Sequence, residues 1–273
     1  MLIKNKKTKK LKVMIIVLII ILLILSVIGV TFILESSKEV IYEKSNRVKN
    51  ISEEKKRDDS KQFKTIGWLR VQGTNIDTPI ITYLDDDENS MASKNNYLWN
   101  LNKEEKLFNK VSIMGHNLLN LSAKPEVGLK EFSRFDDLMS FVYYDFIKDN
   151  KYIQYTIGGK DYIYKIFAVG FDYQYNLDVN NNGNYSKKQL QKYIEKLKKK
   201  SIYDFGVDVN ENDKIISLIT CTRMFGTDDE REFVVSARLV RKGERYTNYS
   251  VNKSNKYKKI ERKLKGDVEN EKV

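Results

Sequence analysis

The sequence predicts a mainly β domain, closed into a barrel or a sandwich, carrying peripheral helices and standing behind one N-terminal transmembrane helix. Three observations support this. Residues 13–34 are an almost unbroken apolar run. From Thr65 onward, TIGWLRV, TPIITY, VSIMG, KYIQYTI, DYIYKIFAVGF, KIISLITC and EFVVSARLV are short runs rich in β-branched and aromatic residues, separated by Gly, Asn and Asp clusters. A chain of 273 residues that is 41% hydrophobic can bury a core in one domain, or two at most. Seven or more short strands with hairpin links remove their exposed edges by closing.

The N-terminal elements follow from charge and length. Residues 1–12 hold six lysines and no acid, and Val13 to Leu34 is interrupted only by Ser26, Gly29 and Thr31. A helix of that length spans roughly 33 Å, enough for a hydrocarbon core of about 30 Å. A cleaved signal peptide would have a shorter apolar region ending in a small-residue site. The reading is therefore an uncleaved signal anchor at 13–34. The positive-inside rule leaves residues 1–12 as a cytoplasmic basic segment and places the rest outside a single-pass cell membrane protein.

Residues 35–62 are charged with sparse apolar positions and read as a helical stalk. The domain proper is expected over residues 63–242. Within it, Gly158-Gly159 between two strands reads as a tight hairpin turn. Leu129 to Phe146 reads as one or two surface helices. Ser186 to Lys200 reads as a helix with Ser186 as N-cap, Leu190, Ile194 and Leu197 on one face, and Lys198, Lys199 and Lys200 where the dipole favours positive charge. Residues 243–273 read as a basic, disordered tail.

The net charge of +12 resides at the two ends, and residues 13–240 are neutral. A nucleic-acid-binding domain would hold its basic excess in the folded part, so no nucleic-acid partner is expected. One His and one Cys exclude an internal disulfide framework and a zinc site of the usual composition. No metal or cofactor is expected.

Three residues carry potential chemistry. His116 follows a strand in VSIMGHN, Cys221 ends one in SLITC, and Arg231 precedes EFVVSARL. A Cys and a His distant in sequence can meet in a closed sheet. The thiolate attacks a carbonyl, an imidazole moves protons, and an arginine stabilises the oxyanion. Singly, each residue has an ordinary structural explanation: a satisfied His, a packing Cys, a solvated Arg. Together, in an exported chain with no other His or Cys, they favour catalysis.

Residues 65–240 resemble a sortase, specifically a class B sortase. GWLRVQGTNIDTPI resembles the family's opening segment, SIMGHN the strand end that carries the catalytic His, and SLITC the motif that carries the nucleophile. The helix from Ser186 sits in the long connection before the Cys strand, as in class B. The resemblance implies a closed eight-stranded β-barrel of membrane-anchored cysteine transpeptidases of Gram-positive bacteria. By it, Cys221 attacks the Thr carbonyl of a C-terminal sorting signal on a surface protein. A peptidoglycan precursor amine then releases the thioacyl intermediate. His116 would be the acid/base, Arg231 the oxyanion stabiliser, and Thr220 would line the peptide groove. Met114, Ser217 and Ile219 depart from the common pattern and bear on the sorting-signal preference. The alternatives are a catalytically dead sortase-like binding domain and a pilin-polymerising sortase.

Arg231 is counted in two ways. It lies ten residues beyond the Cys, as the loop spacing requires, but one residue out when counted from Ala237 along the strand, where Glu232 takes the place. A one-residue slip reverses the face. The sequence therefore predicts a β-bulge near Glu232-Phe233 that turns Arg231 toward Cys221. Arg223 and Arg238 are the rivals.

Overall fold

The computed structural model describes residues 12–28, 63–83, 98–100, 104–129, 135–173, 181–244, 246 and 249–266. Residues 12–28 form an exposed helix in a unit separate from the domain. Among the described residues no helix is long and apolar enough to cross a membrane. Residues 29–34 of the expected anchor, and the expected stalk at 35–62, lie outside the described residues.

Among the described residues the domain contains ten strands: β1 (Phe63–Val71), β2 (Asp77–Tyr83), β3 (Leu98–Trp99), β4 (Lys110–Met114), β5 (Tyr152–Ile157), β6 (Lys160–Tyr173), β7 (Tyr203–Asp204), β8 (Ile215–Cys221), β9 (Arg231–Leu239) and β10 (Asn252–Lys253). Eight close into a barrel in the order β1-β2-β3-β4-β8-β9-β6-β5, and β5 pairs back onto β1. The barrel is thus realised and the sandwich is not. Two neighbouring pairs, β2 with β3 and β4 with β8, are parallel, and the others are antiparallel. The β5–β6 hairpin turns on Gly158 and Gly159 at φ of 56° and 70°, with Ile157 opposite Lys160. Two consecutive positive φ values are what a two-residue hairpin turn needs, and only Gly adopts them without strain.

Both faces of the wall that carries β8 and β9 are covered. Ile216, Leu218, Phe233 and Val235 point into the barrel core with Leu69, Ile113 and Tyr155. Ile215, Ile219 and Val234 point outward under helix α1 (Lys187–Lys200), whose Leu190, Tyr193, Ile194 and Leu197 are buried against them. This double burial explains why IISLI reads as a continuous apolar run instead of an alternating one. Helix α1 begins with a capping box, Ser186 accepting from the Gln189 amide and the Gln189 side chain accepting from the Ser186 N–H. The helical stretch expected over Leu129 to Phe146 is a 3-10 helix at Asp136–Val142 and a single turn at Tyr144–Ile147, with residues 130–134 outside the described part.

The C-terminal segment corrects an expectation. In place of a disordered tail, β10 pairs with β7, and helix α2 (Asn255–Lys265) follows. Ser254 caps its start and Gly266, at φ 82°, ends it. Tyr257 and Ile260 are 4% exposed and belong to the barrel's core cluster, with Leu264 packed against it. The spacing 257, 260, 264 is a helical stripe, hidden in the sequence by the seven Lys and Arg that stand between positions 253 and 265. Three apolar residues suffice because they extend an existing core. Ile260→Ala should therefore lower stability by about 2–4 kcal/mol, measurable as a shift of the urea midpoint of the purified chain. A change within experimental error would mean that α2 is not anchored.

Candidate active site

The site is built where β4 and β8 end. Their parallel register runs from Lys110 opposite Ile215 to Met114 opposite Ile219. His116 lies two residues past Met114, and Cys221 two residues past Ile219. Both therefore leave the same end of the barrel from adjoining chains, which run about 5 Å apart. The connection is fixed by hydrogen bonds on both chains. The Gly115 N–H donates to the Ile219 carbonyl at 3.2 Å, the Thr220 hydroxyl donates to the Gly115 carbonyl at 2.7 Å, and the Asn117 amide donates to the Cys221 carbonyl at 3.0 Å.

His116 is half-buried, its ring tilted against Trp99 with centroids 5.0 Å apart. Its carbonyl accepts from the Phe135 N–H at 3.0 Å. Gly115 is required by packing, since a Cβ there would lie 2.5 Å from Leu98 Cδ2 and 2.8 Å from the Phe135 ring. The loop after His116 is shaped by Asp136, whose carboxylate accepts from the Leu118 and Leu119 amides. Asn117, Trp99 and Asp136 were not singled out from the sequence. Asn117 had a signal, because it completes the GHN segment. Trp99 and Asp136 had none, since they arrive from distant segments.

Cys221 is the last residue of β8 and is solvent-accessible. Crowding by the surrounding protein pushes its thiol pKa up, the Glu232 carboxylate adds to this, and Arg223 opposes it. Its surroundings thus disfavour the thiolate, apart from Arg223.

Thr220 and Arg231 do not stand where they were expected. Thr220 is 2% exposed, faces the barrel interior and is occupied by Gly115, so it joins the two strand ends instead of lining a groove. The β-bulge near Glu232-Phe233 is absent: both registers of β9 run unbroken there, with Glu232 opposite Cys221 on one side and Asp172 on the other. The pleat then points Arg231 away from the face of Cys221. Its guanidinium is held by Asp229, with Nε–Oδ1 at 2.8 Å and Nη2–Oδ2 at 2.7 Å, and lies 3.4 Å from the Phe225 ring centroid. Arg238 is buried at the far end of β9 and bound to Glu244. The arginine whose charge reaches Cys221 is the exposed Arg223. Among the described residues no group of three His, Cys, Asp or Glu side chains could hold a metal ion.

A closed barrel thus presents one thiol and one imidazole from adjoining parallel strand ends, an arrangement compatible with a cysteine nucleophile. Comparison with known proteins makes this specific. The chain is 28% identical over 196 residues to sortase B of Listeria monocytogenes, covering 65% of this chain and 70% of that protein. It is 24% identical over 188 residues to sortase B of Staphylococcus aureus, covering 64% and 70%. Its fold matches Clostridium perfringens sortase B, with a TM-score of 0.53 over 72% of this chain and 86% of that one at 24% identity. It also matches a Staphylococcus aureus sortase B–substrate complex, with a TM-score of 0.54 over 76% and 90% at 16% identity. No protein-family model matches the chain. In sequence and in fold, the chain is similar to class B sortases.

Thr220→Val keeps the shape but removes the donor to the Gly115 carbonyl. It should cost about 1–3 kcal/mol and slow peptide cleavage more than it weakens peptide binding. Equal kcat in the variant would show that this bond does not hold His116 and Cys221 in place.

Proposed function

We propose that this chain cuts a C-terminal sorting signal after Thr and joins the carried surface protein to a peptidoglycan amine. The observation that supports this best is the shared end of β4 and β8, which delivers His116 and Cys221 to one place. The S. aureus sortase B has been solved with a substrate, and a sortase B of the same fold with triglycine, which suits a peptide donor and an amine acceptor. In the first step the Cys221 sulfur bonds to the Thr carbonyl carbon and the C–N bond breaks. The thiol proton passes through His116 to the leaving amine. In the second step the acceptor amine forms a new C–N bond, the C–S bond breaks, and His116 carries the amine proton back to the sulfur.

Of Arg223 in the loop after Cys221 and Arg231 at the start of β9, Arg223 is assigned to the oxyanion, because its charge already favours the thiolate. Arg231, committed to Asp229 and Phe225, is assigned to holding the loop. Residues 13–34 are assigned to a membrane anchor with the N-terminus inside, on the strength of the six preceding lysines.

Cleavage of a sorting-peptide library by the purified chain tests the reaction. Cys221→Ala should abolish it with the fold intact, and His116→Ala should lower the rate ~10²–10⁴-fold. Activity surviving in Cys221→Ala would end this reading. Arg223→Ala should lose ~10²–10³ in kcat, and Arg231→Ala less. The reverse order returns the oxyanion role to Arg231. A second reading, a binding domain with a dead site, is favoured by Glu232 facing the thiol. Peptide binding without turnover would support it. Protease added to intact protoplasts should remove the barrel from the cell, and full protection would overturn the topology.

A further inference from the structure

Glu232 is a buried acid that the reaction above does not use. It is 7% exposed, and its Oε2 has no hydrogen-bond partner among the described residues. It lies in a row of three directly opposed residues, Asp172 on β6, Glu232 on β9 and Cys221 on β8. Directly opposed residues point to the same face and bring their Cβ atoms within about 5 Å. Lys196 and Lys200 of α1 both pair with the other acid, Asp172. Arg223, in the loop beyond Cys221, acts on the thiol with the opposite sign, and Val234 and Ile219 on the same face are apolar. Arg231 adjoins Glu232 in sequence but points to the opposite face and is bound to Asp229.

We propose that Glu232 governs the ionisation of Cys221, opposing the thiolate while it carries charge and releasing it on taking up a proton. It acts through Cys221 and is a positioning residue, not a catalytic one. Two like charges on neighbouring strands of one face cannot both form without cost. Two lysines pair with Asp172 and, among the described residues, none pairs with Glu232, so Glu232 is the acid that yields. Burial, with Asp172 adding to it, pushes the Glu232 carboxyl up to about 7, which places the change near neutrality. This proposal rests on Cys221 being the nucleophile, but its test does not need turnover.

The test is the rate at which iodoacetamide alkylates the purified full-length chain, whose only thiol is Cys221, from about pH 5.5 to about pH 10, a range that brackets both ionisations. Glu232→Gln removes the charge at nearly constant shape. The ratio of variant to wild-type rate should be near one at the acid end, where Glu232 is protonated in the wild type. It should rise to roughly three- to tenfold near pH 8, the effect of half to one pKa unit, and return to one once both thiols are ionised. A ratio of one throughout overturns the proposal. So does a constant ratio at all pH, which would mean altered access to the sulfur. Arg223→Gln, an exposed change that does not endanger the fold, should slow alkylation near neutral pH by a similar factor. If Glu232→Gln does not fold, Asp172→Asn should still move the wild-type inflection, expected at about 7, to lower pH, and an unmoved inflection overturns the proposal. Alkylation that behaves as expected in a chain that cleaves no sorting peptide would uphold this inference while rejecting the proposed reaction.

Discussion

The parallel pairing of β4 with β8 is the constraint on which the rest of the site depends. In an antiparallel pair, the residues that follow the two strands leave opposite ends of the sheet. His116 and Cys221, each two residues past the paired stretch, would then lie eight residue steps apart, about 26 Å at about 3.3 Å per step. The parallel arrangement brings both chain exits together. It needs a long crossover, since a tight turn cannot return the chain in the same direction. That crossover holds the 3-10 helix, β5, β6, α1 and β7. Much of the domain is thus the connection that lets two strand ends meet, and the bonds of Thr220 and Asn117 hold them there.

Sequence reasoning reached the elements whose signal is local. The strand runs, the Gly158-Gly159 turn and the capping box at Ser186 are written in neighbouring residues, and each forms as expected. His116 and Cys221 were legible because the chain has one of each and both sit at strand ends. The position of Arg231 was not legible. Its face depends on how the loop from Thr222 to Glu230 absorbs one residue, and loop length alone does not fix the register of the strand that follows. The structure absorbs that residue in the loop, leaving β9 regular and putting Glu232 opposite the thiol. The groove role of Thr220 failed for a related reason. Period-two alternation puts Thr220 on the face opposite Cys221, and that face is the barrel interior.

The outer face of the barrel wall is polar as well as apolar, and its polar groups are joined. The Tyr193 hydroxyl of α1 meets Ser217 at 2.6 Å, and Ser217 meets Ser236 at 2.8 Å. Ser217 therefore has a hydroxyl partner on either side, one from α1 and one from β9. Buried hydroxyls left alone would each carry a desolvation cost. Linked in a chain, they fix the register of α1 on β8 and β9, and so where Lys196 and Lys200 meet Asp172. The two cations beside the acid row are thereby delivered by the seating of a helix.

Helix α2 adds support at the other side of the same site. Its last turn places Lys263 Nζ 5.5 Å from the Phe225 ring, the ring that also receives the Arg231 guanidinium. Its end at Gly266 adjoins Lys124, in the loop that follows His116. Phe225 in turn meets Phe171 edge-on at 4.8 Å, with Phe233 beyond it in the barrel core. The loop that leaves Cys221 is therefore held between the barrel core and the end of α2, and its aromatic residue is shared by two cations. A basic helix is suited to this position because Asp229, which holds Arg231, lies in the same loop, and Lys263 helps keep that carboxyl ionised. The charges that hid α2 in the sequence are thus part of what holds the loop after Cys221. Reading them as solvated tail residues failed because the apolar stripe at 257, 260 and 264 had a partner surface that only the closed barrel provides.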